Sequence, residues 1–397
     1  MSSTTKSSGM RSVIVAFYNV YPPTSGAAAV SFNIAKFLAG KRFLFHLDRL
    51  PSEFELEKGF RLAAFPCRTE HHLIKILDLL QAMPRMARAI RRLKPDVLIL
   101  EGASWAVYYW LFFHLLKFLR VKTHVVYHAH NVEYLLRLQR NSRPVAWLTR
   151  GAECALLRRC FLSTAVSDAD AGHFERLYKI RPSILPNGVD LDKFNRVTTS
   201  EIRAVRAKYG LPRQTVLFMG LTAFPPNQEA IRFLVQDVFP RVVQDRPKAK
   251  LAIIGGEVDM RRDWLINPGS IPFDEVPAFI KACDLCVAPI FSGSGTRLKI
   301  LEYMAARKPV VATAKGAEGL RVEDGKSILL AEGAVAFSKK LLILLQDTQL
   351  RTRLGEKGFL VVKAFYSWPS ILQQFCQKLS PAAGENQGKK CGNSCFY

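Results

Sequence analysis

The sequence predicts an α/β chain built from two Rossmann-like units, each a largely parallel sheet wound with helices. Three observations carry this. Short runs of β-branched and aromatic residues alternate with longer segments of helical periodicity. The alternation breaks at Pro186, Asn187 and Gly188 and then restarts. A length of 397 residues, 49% of them hydrophobic and 23% charged, is that of a globular chain with two or three cores.

In the first half, Ser12–Tyr18 reads as a strand, followed by a loop from Asn19 to Ala28 with Pro22, Pro23 and Gly26, and a helix to about Ala39. The loop reads either as an ordinary turn or as a place where Gly26 lets the backbone approach a ligand. Strands are expected at Phe43–Asp48 and Arg61–Pro66, and a helix from His71 to Leu93. That helix carries Arg85, Arg88, Arg91 and Arg92 beside Met86, Ala89, Ile90 and Leu93. This is either a solvated cationic face or an amphipathic patch for anionic lipid or a lipid-linked acceptor. A strand at Val97–Glu101, an apolar helix within Ala103–Leu119 and a strand at Thr123–His128 follow. The apolar run contains His114 and Lys117 and lies between strands, so it reads as a buried helix, not a membrane span.

The strand ending near His128 continues as YHAHNVEY. His128 and His130 share a face if the strand continues, but no third ligand stands at a convincing spacing, so no metal is expected. Ser163–Ser167 reads as a strand, with Asp168 or Asp170 capping the next helix. The second half restarts with a helix at Ser200–Tyr209 and a strand at Thr215–Met219, then a loop Gly220–Asn227 with Pro225 and Pro226. Lys250–Gly255 is a strand ending in a Gly255-Gly256 turn, and Asp274–Cys283 a helix. Two helices lie between Ala334 and Lys363, and Trp368–Leu379 forms the last one.

The stretch Phe291–Glu318 is the most informative. Gly293, Ser294, Gly295 and Thr296 form a turn that opens a helix, with Thr296 as its N-cap and Leu298, Leu301 and Ala305 on its apolar face. Pro309 precedes the strand Val310–Thr313. Glycines before a helix admit close backbone approach, and free N–H groups at its start favour a phosphate. Arg297 and Lys299 oppose the helix dipole there, so the local electrostatics favour them only with an anion nearby. Glu302, one turn on, is either an ion-pair partner of Lys299 or an acceptor for sugar hydroxyls.

The string GSGTRLKILEYMAARKPVVAT, with GAEGL after it, resembles the nucleotide-sugar signature of the retaining glycosyltransferases of family 4, which have the GT-B fold. The resemblance covers most of Ser12–Leu379 and is strongest in the second half. It implies two Rossmann-like domains facing across a cleft: residues 1–188 on the acceptor side and 189–365 on the nucleotide-sugar side, with the hinge at about Asn187–Phe194. It further implies a helix over 366–380 crossing back to the first domain, and a tail over 381–397 is expected to be disordered. Glu302 matches the second Glu of the family's Glu-x7-Glu motif and would touch the ribose. Ser294 stands where the first Glu belongs, as in a branch with a Gly-Ser-Gly-Thr-Arg-Leu-Lys string. His130, in His-Asn-Val-Glu, matches the histidine facing the donor sugar, with Asn131 and Glu133 supporting it or contacting the acceptor. The loop Gly220–Asn227 lacks the Arg and Lys that hold the donor's diphosphate in many members, and Arg297 and Lys299 are the expected substitutes.

The resemblance thus implies transfer of a sugar from a nucleotide-sugar donor to a hydroxyl acceptor, with retention, in cell-surface polysaccharide or glycolipid synthesis. His130, Arg297, Lys299 and Glu302 are the expected catalytic groups. Gly26, Gly293, Ser294, Gly295 and Thr296 join Arg297, Lys299 and Glu302 in donor binding, without cofactor or metal. A nucleotide-sugar epimerase or hydrolase of the same fold is the alternative. The formal net charge of +24 favours an anionic partner. No nucleic-acid motif or aromatic–basic interleaving accompanies it, so nucleotide and anionic membrane surface are expected over nucleic acid. Of eight scattered cysteines, Cys283 and Cys286, in an apolar run, read as buried free thiols, while Cys391 and Cys395 fall in the polar tail; the pattern fits a reducing cytoplasm. With no hydrophobic signal core near the start, a cytoplasmic protein, peripheral on the inner face of the membrane, is expected.

Overall fold

The computed structural model describes residues 9–23, 25–68, 72–102, 105–139, 143–292 and 298–384. The chain divides into two compact units, one running to Pro186 and resuming at Ile371, the other from Asn187 to Ser370.

The first unit holds eight strands: β1 Arg11–Val15, β2 Lys41–Asp48, β3 Ser52–Glu57, β4 Phe60–Pro66, β5 Val97–Gly102, β6 His124–Ala129, β7 Leu162–Ala165 and β8 Ser183–Ile184. Their spatial order is β3-β4-β2-β1-β5-β6-β7-β8. All pairs are parallel except β3 with β4. β3 was not expected from the sequence: every residue of SEFELE is exposed, so no buried face advertises it. The chain leaves β1 toward β2 on one side and returns to β5 on the other. The switch point therefore lies between β1 and β5, where open α/β sheets place ligands.

The helices of this unit are α1 Gly26–Phe37, α2 His72–Leu93, α3 Ala106–Phe118, α4 Glu133–Gln139, α5 Arg143–Arg159 and α6 Asp168–Tyr178. Ser167, not Asp168 or Asp170, caps α6: its Oγ accepts from Asp170 N at 3.1 Å. Asp170 in turn accepts from the Ser167 hydroxyl at 2.6 Å. A hydroxyl at the N-cap and a carboxylate in the first turn each satisfy part of the helix start. Val13, Val15, Leu98, Leu100, Phe112 and Phe174 belong to one fully buried cluster.

The second unit is a six-stranded parallel sheet ordered β11-β10-β9-β12-β13-β14. Its strands are β9 Thr215–Met219, β10 Lys250–Ile254, β11 Leu265–Gly269, β12 Leu285–Ala288, β13 Val310–Ala312 and β14 Leu329–Leu330. Its helices are α7 Leu191–Asn195, α8 Thr199–Tyr209, α9 Pro225–Arg232, α10 Phe239–Asp245, α11 Val276–Ala282, α12 Leu298–Ala305, α13 Gly333–Gln346 and α14 Thr348–Phe365. A π-helical turn at Phe233–Val238 joins α9 to α10. Both faces of the sheet are covered. Leu217 packs into one core, while its neighbours Val216 and Phe218 pack into the other, as the two-residue strand period requires. Here the switch point lies between β9 and β12.

The last helix, α15 Trp368–Gly384, continues past Ser380, where a disordered tail was expected to begin; the rest of that expected tail lies outside the described residues. Cys283 ends α11 and Cys286 lies in β12, both free and fully buried, and burial pushes their thiols up, that of Cys283 to about 12. No described helix is long and apolar enough to cross a membrane.

Candidate functional site

In the second unit the ends of β9 and β10 meet in a compact cradle beside the switch point. Gly220 follows β9 and donates to Ile254 O at the end of β10, and Thr222 N donates to Gly255 O. The two loops touch so closely that a Cβ on Gly255, whose φ is +112°, would lie 2.4 Å from Gly220 O. A side chain is excluded there by both space and backbone conformation. Helix α12 is tied to the same spot, since the Tyr303 hydroxyl accepts from Met219 N at 2.7 Å.

Lys299 is thereby brought to the loop that lacks its own cation. Its Nζ donates to Asn227 Oδ1 at 2.9 Å and lies 4.2 Å from the centre of the Phe218 ring. Asn227 opens α9 and uses its amide N–H on Leu221 O at 2.9 Å, so one side chain holds both the loop and the lysine. A Cβ on Gly220 would meet Lys299 Nζ at 2.8 Å and Asn227 Nδ2 at 2.7 Å. The glycine is what leaves room for the ammonium.

Glu302 lies on the same helix, half-buried, and no hydrogen bond to it is recorded among the described residues. Burial pushes its carboxyl up to about 7, although Lys193 and Lys299 pull the other way. Lys299 reaches Asn227, and its pull on Glu302 is electrostatic, without a direct ion pair between the two among the described residues. Gly293, Ser294, Gly295, Thr296 and Arg297 lie outside the described residues.

In the first unit, Glu101 at the end of β5 and His130 just after the neighbouring β6 meet beside the switch point. His130 Nε2 and Glu101 Oε2 are 2.7 Å apart. Ser31 on α1 donates to the same carboxylate oxygen at 2.8 Å, and the Tyr18 hydroxyl is 2.6 Å from Ser31 Oγ. Glu101 is completely buried. Burial works against its ionisation, but the neighbouring imidazoles and the bonds from His130 and Ser31 outweigh it and hold the carboxyl below its ordinary range. His128 is also buried, bonded through Nδ1 to Thr164 Oγ1 at 2.8 Å, and burial drives it down to about 4. It is neutral at pH 7, so the Glu101 charge leans on His130 and Ser31.

Sequence spacing offered no third metal-ligating group beside the two histidines, but the fold supplies one. Ligand atoms of Glu101, His128 and His130 lie within 4.8 Å of one another. As placed, these side chains are engaged by hydrogen bonds to each other, to Ser31 and to Thr164.

Gly26 is the first residue of α1, behind the N-cap Ser25, whose Oγ accepts from Ala28 N at 3.2 Å. Glu133 is a structural carboxylate. It accepts from Trp105 N at 2.9 Å and Ala106 N at 2.8 Å, capping the start of α3, and pairs with Arg137. Glu153 repeats the device beneath it, accepting from Glu133 N at 2.8 Å and from the Tyr178 hydroxyl at 2.7 Å. Sequence reasoning missed Glu101 and Asn227. The signal for Glu101 was an acid closing the apolar run VLIL, and for Asn227 a polar residue just after Pro225-Pro226.

Two family models match, one per unit: Glycosyltransferase Family 4 over residues 24–193 and Glycosyl transferases group 1 over residues 213–347. Among curated proteins, an uncharacterized glycosyltransferase of Methanocaldococcus jannaschii is 40% identical over 102 residues, 25% of this chain and 28% of that protein. A GDP-mannose-dependent monoacylated alpha-(1-6)-phosphatidylinositol monomannoside mannosyltransferase of Corynebacterium glutamicum is 26% identical over 223 residues, 52% of this chain and 58% of that one. The matches thus span less than two thirds of these relatives. Among solved structures, sucrose-phosphate synthase from Thermosynechococcus elongatus superposes with a TM-score of 0.77 at 17% identity, covering 95% of this chain and 100% of that one. HepE from Anabaena, solved in complex with UDP and glucose, gives 0.71 at 16% identity, covering 94% and 99%. These likenesses show the GT-B fold. With a family model on each unit, the chain belongs to the group 1, family 4 glycosyltransferases.

Proposed function

We propose that the chain moves a sugar from a nucleotide-sugar donor to a hydroxyl acceptor with retention of anomeric configuration. The observation that carries this reading is the placement of Lys299 Nζ on Asn227, against Gly220, at the switch point of the second unit. A cation delivered to a glycine-lined strand end suits the diphosphate of the donor. During transfer the leaving nucleoside diphosphate gains negative charge, and Lys299, with Arg297 and the Gly293-Ser294-Gly295-Thr296 string, meets that charge in place of a metal ion. Glu302, with no hydrogen bond among the described residues, accepts from the ribose hydroxyls. His130 faces the donor sugar. Glu101 is occupied by His130 and Ser31, so a double displacement on a protein carboxylate is not part of the scheme.

The donor is sought among UDP and GDP sugars first, because HepE is solved with UDP and glucose and the Corynebacterium relative is named as GDP-mannose-dependent. A thermal-shift screen with UDP, GDP and ADP tests the reading. One of them should raise the melting temperature in proportion to the logarithm of its concentration, and a flat response to all three would overturn it.

The acceptor reading is a lipid-linked hydroxyl at an anionic cytoplasmic membrane face, in surface polysaccharide or glycolipid synthesis. Helix α2 supports it. Arg85, Arg88 and Arg92 are exposed along one stripe that continues into exposed Ile74 and Leu77, 44% and 58% accessible. Met86 and Ile90 belong instead to the core. The surface stripe is therefore apolar in its first half and cationic in its second, a pattern that suits an anionic bilayer.

A further inference from the structure

We propose that Glu101 is the positioning residue of His130: its carboxylate holds the imidazole by Nε2, so that Nδ1 is the atom presented to the substrate. The inference rests on the reading of His130 as a substrate-facing group and adds to it which nitrogen acts and what fixes it.

The hydrogen-bond directions follow from the chemistry of the groups. An ionised carboxylate only accepts, so the proton between His130 and Glu101 at 2.7 Å sits on Nε2. Ser31 spends its one hydroxyl proton on the same oxygen at 2.8 Å, so the Tyr18 hydroxyl at 2.6 Å must donate to Ser31 Oγ. The chain Tyr18 to Ser31 to Glu101 therefore has one direction, and it ends on a fixed acceptor for His130. The backbone beneath is locked as well. Tyr109 donates to Glu101 O at 2.7 Å and accepts from Phe17 N at 3.0 Å, joining the ends of β1 and β5 across the switch point.

The neighbouring histidine is held by the opposite nitrogen. His128 is bonded through Nδ1 to Thr164, with its ring 4.9 Å from that of His130. Neutral and buried, it crowds His130 without repelling a positive charge on it. One feature sets Glu101 apart from a carboxylate kept only for packing: its Oε1 is buried with no hydrogen-bond partner among the described residues. An unsatisfied oxygen on a buried charge is costly, and an apolar residue would fill the space more stably. The arrangement makes sense if the carboxylate is retained for its hold on the imidazole. A histidine fixed this way can accept a proton or hydrogen bond at Nδ1 when neutral and donate from Nδ1 when charged, without rotating.

The test combines nitrogen-15 NMR of the histidine rings with donor turnover, read as nucleoside diphosphate release, in the whole chain. Wild-type His130 should show the Nε2–H tautomer. In Glu101→Gln the amide can donate to Nε2, so the tautomer should switch to Nδ1–H and kcat fall roughly 10- to 100-fold while KM for the donor barely moves. Ser31→Ala should keep the tautomer and lose only a few-fold in kcat. A wild-type His130 protonated on Nδ1 alone would overturn the proposal without any variant. So would a Glu101→Gln protein with wild-type tautomer and turnover beside an inactive His130→Ala. If His130→Ala kept full turnover, the role of His130 in transfer would fall instead, and the wild-type tautomer would still decide what Glu101 does.

Discussion

The two switch points solve opposite problems. In the first unit, the carboxylate and imidazole at the strand ends are buried and already paired, with Glu101, His130 and Ser31 closed on one another. In the second, Lys299 donates to the Asn227 amide at the loop Gly220–Asn227, and Glu302 is a carboxyl lifted by burial with no hydrogen bond among the described residues. A closed network orients an atom, while an open one waits for charge and hydroxyls from a ligand. The second unit should therefore show ligand-dependent behaviour that the first does not, and each variant below tries that contrast.

The largest effect is expected from Lys299→Ala. Removing a donor that meets leaving-group charge should lower turnover by roughly tenfold to a thousandfold. The melting temperature without ligand should hardly change, because the lost contact to Asn227 is offset by removal of a cation from a helix start. If the variant instead melted several degrees lower and kept its turnover, the lysine would be structural and the contrast would collapse. Asn227→Ala comes next. It removes one partner of Lys299 without deleting the lysine, so turnover should fall about tenfold, between wild type and Lys299→Ala. A loss equal to that of Lys299→Ala would mean that Asn227 touches the substrate itself.

Glu302→Gln sharpens the comparison through pH. The carboxyl titrates near 4.5 when unfolded and near 7 when folded, so between those values the folded state keeps a proton that the unfolded state has released. Stability from this group thus falls as pH rises from 4.5 to 7, and the penalty is complete above about 7. The variant should be more stable than wild type by about 1–2 kcal/mol at pH 8, discounted for partial exposure, and equal to it near pH 4. Glu153 is also raised to about 7, but it is present in both proteins and cancels in the difference. The variant should also bind the donor more weakly, by about 1–3 kcal/mol, if Glu302 holds the ribose. Identical stability–pH curves would show that Glu302 is not held in the raised state.

The smallest effect on the chemistry should come from reversing Arg88 and Arg92 to Glu. Both are exposed on α2 and neither is among the groups assigned to the chemistry, so turnover of a water-soluble donor should be unchanged. Co-sedimentation with vesicles containing anionic lipid should be lost, and wild-type binding should weaken with salt. Unchanged co-sedimentation would remove the membrane from the account.

How legible this was in the sequence depended on whether the signal was local. Strand β9 lies at Thr215–Met219, as its β-branched and apolar run predicted, because both its faces are buried. Strand β3 was invisible because an exposed edge strand buries no side chain. Helices α4 and α5 were also passed over; α5 exposes Trp147 and Leu148, which blurs its apolar face. In the sites, Lys299 and Glu302 stood out because the string around them is contiguous. Asn227 and Glu101 did not, since their meaning comes from partners 72 and 29 residues away. The expected cap at Asp168 or Asp170 failed for a milder reason: Ser167 and Asp170 share the task, and residue preference alone does not rank them.

The central claim is that Lys299 supplies the diphosphate site that the loop Gly220–Asn227 lacks. The most direct measurement is calorimetric titration of wild type and Lys299→Ala with the best-binding nucleoside diphosphate and with its parent nucleoside. The account predicts that the variant loses roughly 10- to 100-fold in affinity for the diphosphate, the worth of one charge-assisted hydrogen bond, while nucleoside binding is unchanged. Equal diphosphate affinity in the two proteins, or an equal loss for diphosphate and nucleoside, would contradict it.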